Sequence, residues 1–393
     1  MSKNNEMLNK INTLRIVFSL FLTSLFLLGA NNAVANDSLA TPMATEHASE
    51  GHNTKHEEHP VHAEEKFNAG KMILEHVGDA HDWHIAGHLA MPLPVIIYSE
   101  AGLDIFSSAR FEHGHATYHS DKTNINYKLE ENKVVAVNED GSVNEEVTST
   151  FYDLSITKNV ASLLFSLVLL CWIFISVANA YTKNPGKAPK GLQSFVEPII
   201  VFLRDDVAKS SIGEKHYKKF MPYLLTVFFF IWINNLLGLI PIMPGGANLT
   251  GNVAVTLTLA VLTFIITTIN ANGHYWRHVF AMPGVPVGVL VLLTPIEILG
   301  VFLRPFVLMV RLFANITAGH IIALSFFSLI FIFGEMNTGA GLGFSLFSTA
   351  FTVFMMVMEL LVAFLQAYVF TLLSAVYFGA AVEEGHHEEA HAH

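Results

Sequence analysis

An arginine inside a long apolar run constrains this chain more than any other feature. Arg311 stands near the middle of a stretch that runs almost unbroken from Thr294 to Phe333. A guanidinium keeps its charge at any working pH, and setting one at mid-bilayer costs about 3 kcal/mol on insertion scales. A chain that carries it there needs a reason to do so. Thr294-Pro295-Ile296-Glu297 reads as a helix start, with Thr at the N-cap, Pro in the first helical position and Glu three residues after the cap. The helix expected from there to Phe333 has about 39 residues. At 1.5 Å per residue it is about 58 Å long, against about 30 Å of hydrocarbon core. Such a helix must tilt steeply, bend or leave the membrane, and Pro305 is one place for a kink.

The glycine-rich GEMNTGAGLG (334–343) reads as a turn, and the next run, Phe344 to Ala380, has about the same length and no proline. Two equal runs around a turn predict a tilted antiparallel hairpin. Residues equally far from the turn then lie at one height, which levels Arg311 with Gln366 and, nearly, His320 with Glu359. Each helical residue also rotates its side chain by about 100°. Glu297, Arg304 and Arg311 share one stripe, with Asn315 a turn beyond, whereas His320 points to the opposite side. The polar groups divide into a fixed positive charge at one depth and a titratable His/Glu pair about 13 Å further along the helix. This is a proton route with a barrier in it.

TPIEILGVFLRPFVLMVRLFANITAGH (294–320) and MELLVAFLQAYVFTLLSAVYF (358–378) resemble the a subunit, the stator channel subunit, of F-type ATP synthases. The resemblance covers roughly residues 195–380. It implies that Arg311 faces the carboxylate of a rotating c-subunit ring, with two offset half-channels through which protons enter and leave. It further implies that Asn315, His320, Glu359 and Gln366 are channel positions and that Glu297 lies near the cytoplasmic exit. Many bacterial members carry Glu at the position of His320 and His at that of Glu359. This chain has the exchanged pair, as mitochondrial members do, and keeps one imidazole and one carboxylate. The implied partners are the c ring, the b subunits of the peripheral stalk, the soluble ATPase head and the lipid bilayer. The resemblance implies no cofactor, no nucleic acid and no catalytic residue in this subunit.

The rest of the chain fits an all-α integral membrane protein with a polar appendage: 52% of its residues are apolar and 14% charged. Lys3, Lys10 and Arg15 precede the apolar run Ile16 to Leu28, and Ala33-Val34-Ala35 follows. This is the order of a signal peptide over residues 1–35, an uncleaved anchor helix being the alternative. Residues 36–157 hold 21 Asp/Glu against 7 Lys/Arg and 12 of the 20 histidines. The first part has the composition of a solvated arm. Its histidine spacings are irregular and no cysteine joins them, so adventitious metal affinity is the plain reading. LPVIIYS, INYKLEE and KVVAVNEDGSVNEE, with an Asp-Gly turn signal at 140–141, predict a few strands in a small exported domain.

Membrane spans are expected at about Val160–Ala180, Met221–Ile240 and Asn252–Asn270, and with the long hairpin they make five crossings in a channel domain over 158–382. Lysines 183, 187 and 190 and the basic residues up to Lys219 place the loop after the first span in the cytoplasm. Leu192, Phe195, Val196, Ile199 and Leu203 recur at helical spacing there, which predicts one amphipathic interfacial helix. Arg277 also falls on the cytoplasmic side, as does a tail at 383–393. The expected location is the bacterial inner membrane, with a periplasmic N-terminal segment. Cys171 is the single cysteine, so no intrachain disulfide forms.

Bland readings stand beside these. Asn235 either lines the outer half-channel or bridges helices through its amide, and Arg304 either acts in transport or snorkels to the interface. A secondary transporter of protons or metal ions would also hold intramembrane charge, but it calls for internal repeats and broken helices, and the sequence shows neither.

Overall fold

The computed structural model describes Gly70 and residues 78–383, apart from 87, 88, 131, 184, 185, 241, 242, 283 and 337. The expected signal peptide, nearly all of the His-rich arm, and the tail beyond residue 383 lie outside the described residues.

Residues 79–157 form a small β-domain. Its strands are β1 (Asp82–Ala86), β2 (Leu89–Pro92), β3 (Pro94–Ser99), β4 (Gly102–Ser107), β5 (Thr117–His119), β6 (Asn126–Glu130), β7 (Lys133–Val137) and β8 (Tyr152–Asp153). They make three antiparallel sheets, β1-β2, β4-β3-β8 and β5-β6-β7. The three expected strand segments are β3, β6 and β7. Alternation explains why they hold: Val95 and Ile97 on β3, and Val134 and Ala136 on β7, are buried, whereas Tyr98 between sheet faces is exposed. They close a core with Phe106, Phe111, Tyr127 and Phe151. At the expected turn, Gly141 adopts φ 83°, a conformation that favours glycine, and its N–H donates to Asn138 O at 3.0 Å. A helix α1 (Glu145–Thr150), capped by the Asn144 side chain on Val147 N, leads into β8.

Only four residues separate β8 from α2 (Lys158–Lys183), the first of five helices among the described residues that are long and apolar enough to cross a membrane. The others are α4 (Tyr217–Leu239), α5 (Val253–Asn270), α7 (Val287–Met336) and α8 (Thr338–Val382). Between α2 and α4 lies α3 (Leu192–Phe202), followed by a π-helical run Leu203–Lys209 and a last turn Ser210–Ile212. The expected amphipathic stripe is split: Val196 and Leu203 are buried, while Leu192 and Phe195 remain exposed.

Helix α4 is the centre of the bundle. Leu224, Val227, Phe228, Phe229, Phe230 and Ile231 are buried on all sides of it. Phe228 meets Phe364 of α8 edge-on at 5.6 Å, Phe220 stacks on Phe378 at 4.7 Å, and Phe229 meets Phe174 of α2 at 5.0 Å. Lipid tails are as apolar as these rings, so packing and hydrogen bonds rather than water exclusion hold the helices together. Tyr223 Oη lies 2.8 Å from Thr263 Oγ1 on α5, which reaches Ser374 Oγ on α8 at 3.5 Å. The outer face of α2 instead exposes Leu164, Phe165, Val168, Trp172 and Ile175.

The hairpin corrects two sequence expectations. Helix α7 begins at Val287, not at Pro295, and has 50 residues, about 75 Å at 1.5 Å each. Pro286 supplies the first carbonyls, accepting from Val289 N and Leu290 N at 3.0 and 3.1 Å. Thr294 does not cap: its hydroxyl donates to Phe280 O, at the end of a short helix α6 (Gly273–Phe280), at 3.2 Å. The helix continues through Pro295 and Pro305. The glycine-rich segment is likewise largely helical and not an extended turn. Helix runs to Met336 and resumes at Thr338, and Phe333 stacks on Phe344 at 3.9 Å beside the reversal.

Candidate functional site

Antiparallel pairing brings His320 of α7 against Glu359 of α8, with Nδ1 3.9 Å from Oε1 and both side chains largely buried. Their neighbour Gly319 makes the room: a Cβ there would stand 2.7 Å from Glu359 Oε1. The pair opens on a cavity of about 80 Å³ lined also by Asn235, Asn315, Met355 and Met358. On the measure of room for water centres, a single water needs about 10–15 Å³, so the cavity holds several.

Asn235 bridges helices through its amide and also lines this cavity. Its Nδ2 donates to Ala363 O on α8 at 3.2 Å and its Oδ1 accepts from Thr250 Oγ1 at 2.6 Å, and the same residue lines the cavity. Asn234 turns back on its own helix, donating to Phe230 O at 2.8 Å.

Arg311 lies outside this cavity. It is exposed on a face of α7 that also exposes Phe306, Val307 and Val310, and the neighbouring face of α8 exposes Val357, Leu360 and Leu361. A permanent cation set in such an apolar surface is not placed for lipid. Gln366 is buried, and among the described residues no hydrogen bond joins it to Arg311. Asn315 is exposed and lines the cavity, so it connects the two regions.

On the other side of Arg311, Arg304 Nη1 donates to Tyr275 Oη of α6 at 3.4 Å and stands 5.9 Å above the Tyr377 ring of α8. These residues line a second, smaller cavity of about 10 Å³ with Thr263, Thr267 and Pro305. Glu297 is half-buried and lines neither cavity. Among the described residues no three His, Cys, Asp or Glu side chains are grouped to hold a metal ion.

Residues 160–379, which include most of every membrane helix, match the family model of the ATP synthase A chain. The chain belongs to that family. It is 43% identical to the ATP synthase subunit a of Chloroherpeton thalassium over 249 residues, covering 62% of this chain and 71% of that one. It is 46% identical to an ATP synthase subunit a of Chlorobaculum tepidum, over 61% of this chain and 68% of the relative. The subunit a of Myxococcus xanthus is 40% identical over 61% of this chain and 77% of its own length. Residues 72–154 match a second model, described as a domain of unknown function (DUF8433). The ATP synthase A chain match thus begins after the β-domain ends. Sequence reasoning missed Thr250, Gly319 and Tyr275 in the neighbourhood of the polar groups. Gly319 carried a signal, since a glycine beside a membrane histidine marks a close approach.

Proposed function

We propose that this chain is the proton-translocating stator subunit of the membrane sector of an F-type ATP synthase. The observation that carries this reading is the position of Arg311: exposed on an apolar helix face, between two cavities that share no lining residue, one holding His320 and Glu359 and the other Arg304. A proton from the exported side enters the first cavity, passes the His320/Glu359 pair with Asn235 and Asn315 around it, and reaches a carboxylate on the c ring. The Arg311 charge favours the ionised form of any carboxylate within about 4–6 Å, and so releases the proton that carboxylate carried toward the cytoplasmic side. Arg304, and further out Glu297, border the exit. Gln366 supports the packing at the level of Arg311. No covalent bond forms in this subunit.

The reading assigns 158–382 as the channel domain in a bacterial inner membrane. Residues 36–157 are periplasmic, behind a signal peptide at 1–35, and the 383–393 tail is cytoplasmic. The c ring, the b subunits and the soluble head are the partners. The test is Arg311→Ala. The complex should assemble and copurify with its c ring, while ATP synthesis driven by a proton gradient falls to background. Normal synthesis in that variant refutes the proposal.

A further inference from the structure

The exported β-domain has more than its covalent link to the membrane helices. Lys158 N, at the start of α2, donates to Ala80 O at 2.8 Å, and Asn159 N to Asp79 Oδ1 at 3.0 Å. Three residues after Ala80, in β1, the buried Trp83 sends its indole Nε1 to the carbonyl of Gly245 at 2.9 Å, a contact between residues 162 positions apart. Gly245 belongs to the loop that joins α4 to α5.

That loop is closely seated. Gly246 N donates to Leu237 O at 3.2 Å, and a Cβ on Gly245 would run into the carbonyls of Leu237 and Ile240. Ala247, Asn248, Leu249 and Thr250 are all buried. From this buried stretch two contacts reach the cavity. Thr250 Oγ1 donates to Asn235 Oδ1 at 2.6 Å. The Ala247 carbonyl and His320 Nε2 flank Gly238, lying 3.4 and 3.7 Å from where its Cβ would stand. Trp83 therefore holds a loop that touches both Asn235 and the immediate surroundings of His320.

We propose that Trp83 is a positioning residue for the outer cavity: the exported domain clamps the 243–250 loop so that Thr250 and the Ala247 carbonyl fix the polar wall around Asn235 and His320. The functional part of this inference rests on the reading of that cavity as the proton entry. A domain that only hung in the periplasm would not need a buried indole N–H spent on a backbone carbonyl of the channel loop, because an unpaired buried carbonyl is costly only where something has covered it.

The test uses the whole complex with Cys171→Ser and Ala247→Cys, in nanodiscs for thiol labelling and in liposomes for synthesis. Trp83→Phe removes the N–H and keeps a ring. A water-soluble maleimide should then label position 247 about fivefold faster, the factor that loss of one hydrogen bond of ordinary strength implies for an opening equilibrium. The dependence of ATP synthesis on lumenal pH, at constant driving force, should shift, with assembly and ATP hydrolysis by the head unchanged. Unchanged labelling overturns the clamp. Faster labelling with an unmoved pH profile overturns the positioning role. If Trp83→Phe fails to assemble, Trp83→His, which returns a ring N–H, is labelled at pH 8: the parent rate supports the clamp and a raised rate overturns it. Failure of the proton-entry reading itself shows separately, as retained synthesis in Arg311→Ala, and leaves the labelling result standing.

Discussion

Replacing Gly319 with alanine tests the proposed relay without removing either His320 or Glu359. Alanine is favoured over glycine in a helix by about 1 kcal/mol, so the glycine is kept for space. A Cβ at 319 would lie 2.7 Å from Glu359 Oε1 and 3.4 Å from its Cδ and Cγ. Ordinary contact starts at 3.4 Å, so the carboxylate oxygen must retreat by about 0.7 Å. The obstacle is the far end of a flexible side chain, and the backbone can stay where it is. The complex should assemble normally, with the carboxyl displaced from its place 3.9 Å from His320 Nδ1. A misplacement of about 1 Å in a reacting group can cost about 100-fold, which puts the expected loss in ATP synthesis and passive proton flux at roughly 10- to 100-fold. Proteoliposomes driven by an acid–base transition measure the first, and vesicles stripped of the soluble head the second. Shortening the acid in the same background, Gly319→Ala with Glu359→Asp, withdraws the carboxyl by one carbon–carbon bond, about 1.5 Å, and should recover part of the loss. Wild-type flux in Gly319→Ala alone would mean that the Glu359 carboxyl is not on the route.

Two further outcomes follow. Gly379 on α8 is the opposite case, because its Cβ would collide with the backbone carbonyl of Ser211, which cannot swing aside. Gly379→Ala should destabilise the complex by about 1–3 kcal/mol through overpacking, and an unchanged melting temperature would contradict that approach. In the β-domain, burial pushes the Asp153 carboxyl up, but His81 beside it and the hydrogen bonds from Ser155 outweigh that and hold it below the usual carboxylate range. A depressed value means that ionised Asp153 stabilises the fold above the ordinary carboxylate pKa, and that this contribution is lost as pH falls through the lower, folded value. Protease sensitivity of the domain should rise in acid, and Asp153→Asn should raise it already at neutral pH while flattening the acid limb. Identical acid profiles for the two would exclude the role.

The membrane part was legible because hydrocarbon leaves the backbone few choices. Five spans, their order and the pairing of the last two could be read from apolar length alone, and the equal distances of His320 and Glu359 from the reversal put them together. Helix ends were not legible: Thr294-Pro295 and the 334–343 glycines carry local signals for termini, but α7 starts eight residues before Pro295, Thr294 bonds to Phe280 instead of capping, and helix resumes at Thr338. In the β-domain, strands whose sequence alternates, such as Asn126–Glu130, could be read, whereas the two-residue β8 had no pattern to show. Trp83 gave no signal either, since a contact between residues 162 apart leaves no trace in local spacing. The exposure of Arg311 was not legible, because it depends on which face α8 covers, and that is decided by packing against α4.

The arrangement along α7 bears on why, under the proposed reading, such a chain works only in company. Arg304 lies seven residues before Arg311 and His320 nine after it, about 10 and 13 Å along the axis. Each belongs to its own cavity, and Arg311, between them, lines neither. A proton moving from one cavity to the other inside this chain would approach a permanent cation in a medium of low dielectric. Like unit charges 4 Å apart repel by about 4 kcal/mol even at an effective dielectric of 20, and a buried site screens less. A carboxylate on a moving neighbour reverses the sign of that encounter. It passes the guanidinium as an anion, attracted rather than repelled, and returns to lipid only once a proton has neutralised it. Under the proposed reading the same charge that closes the direct path therefore opens the indirect one, and the exposed apolar face around Arg311 is the surface along which the neighbour slides.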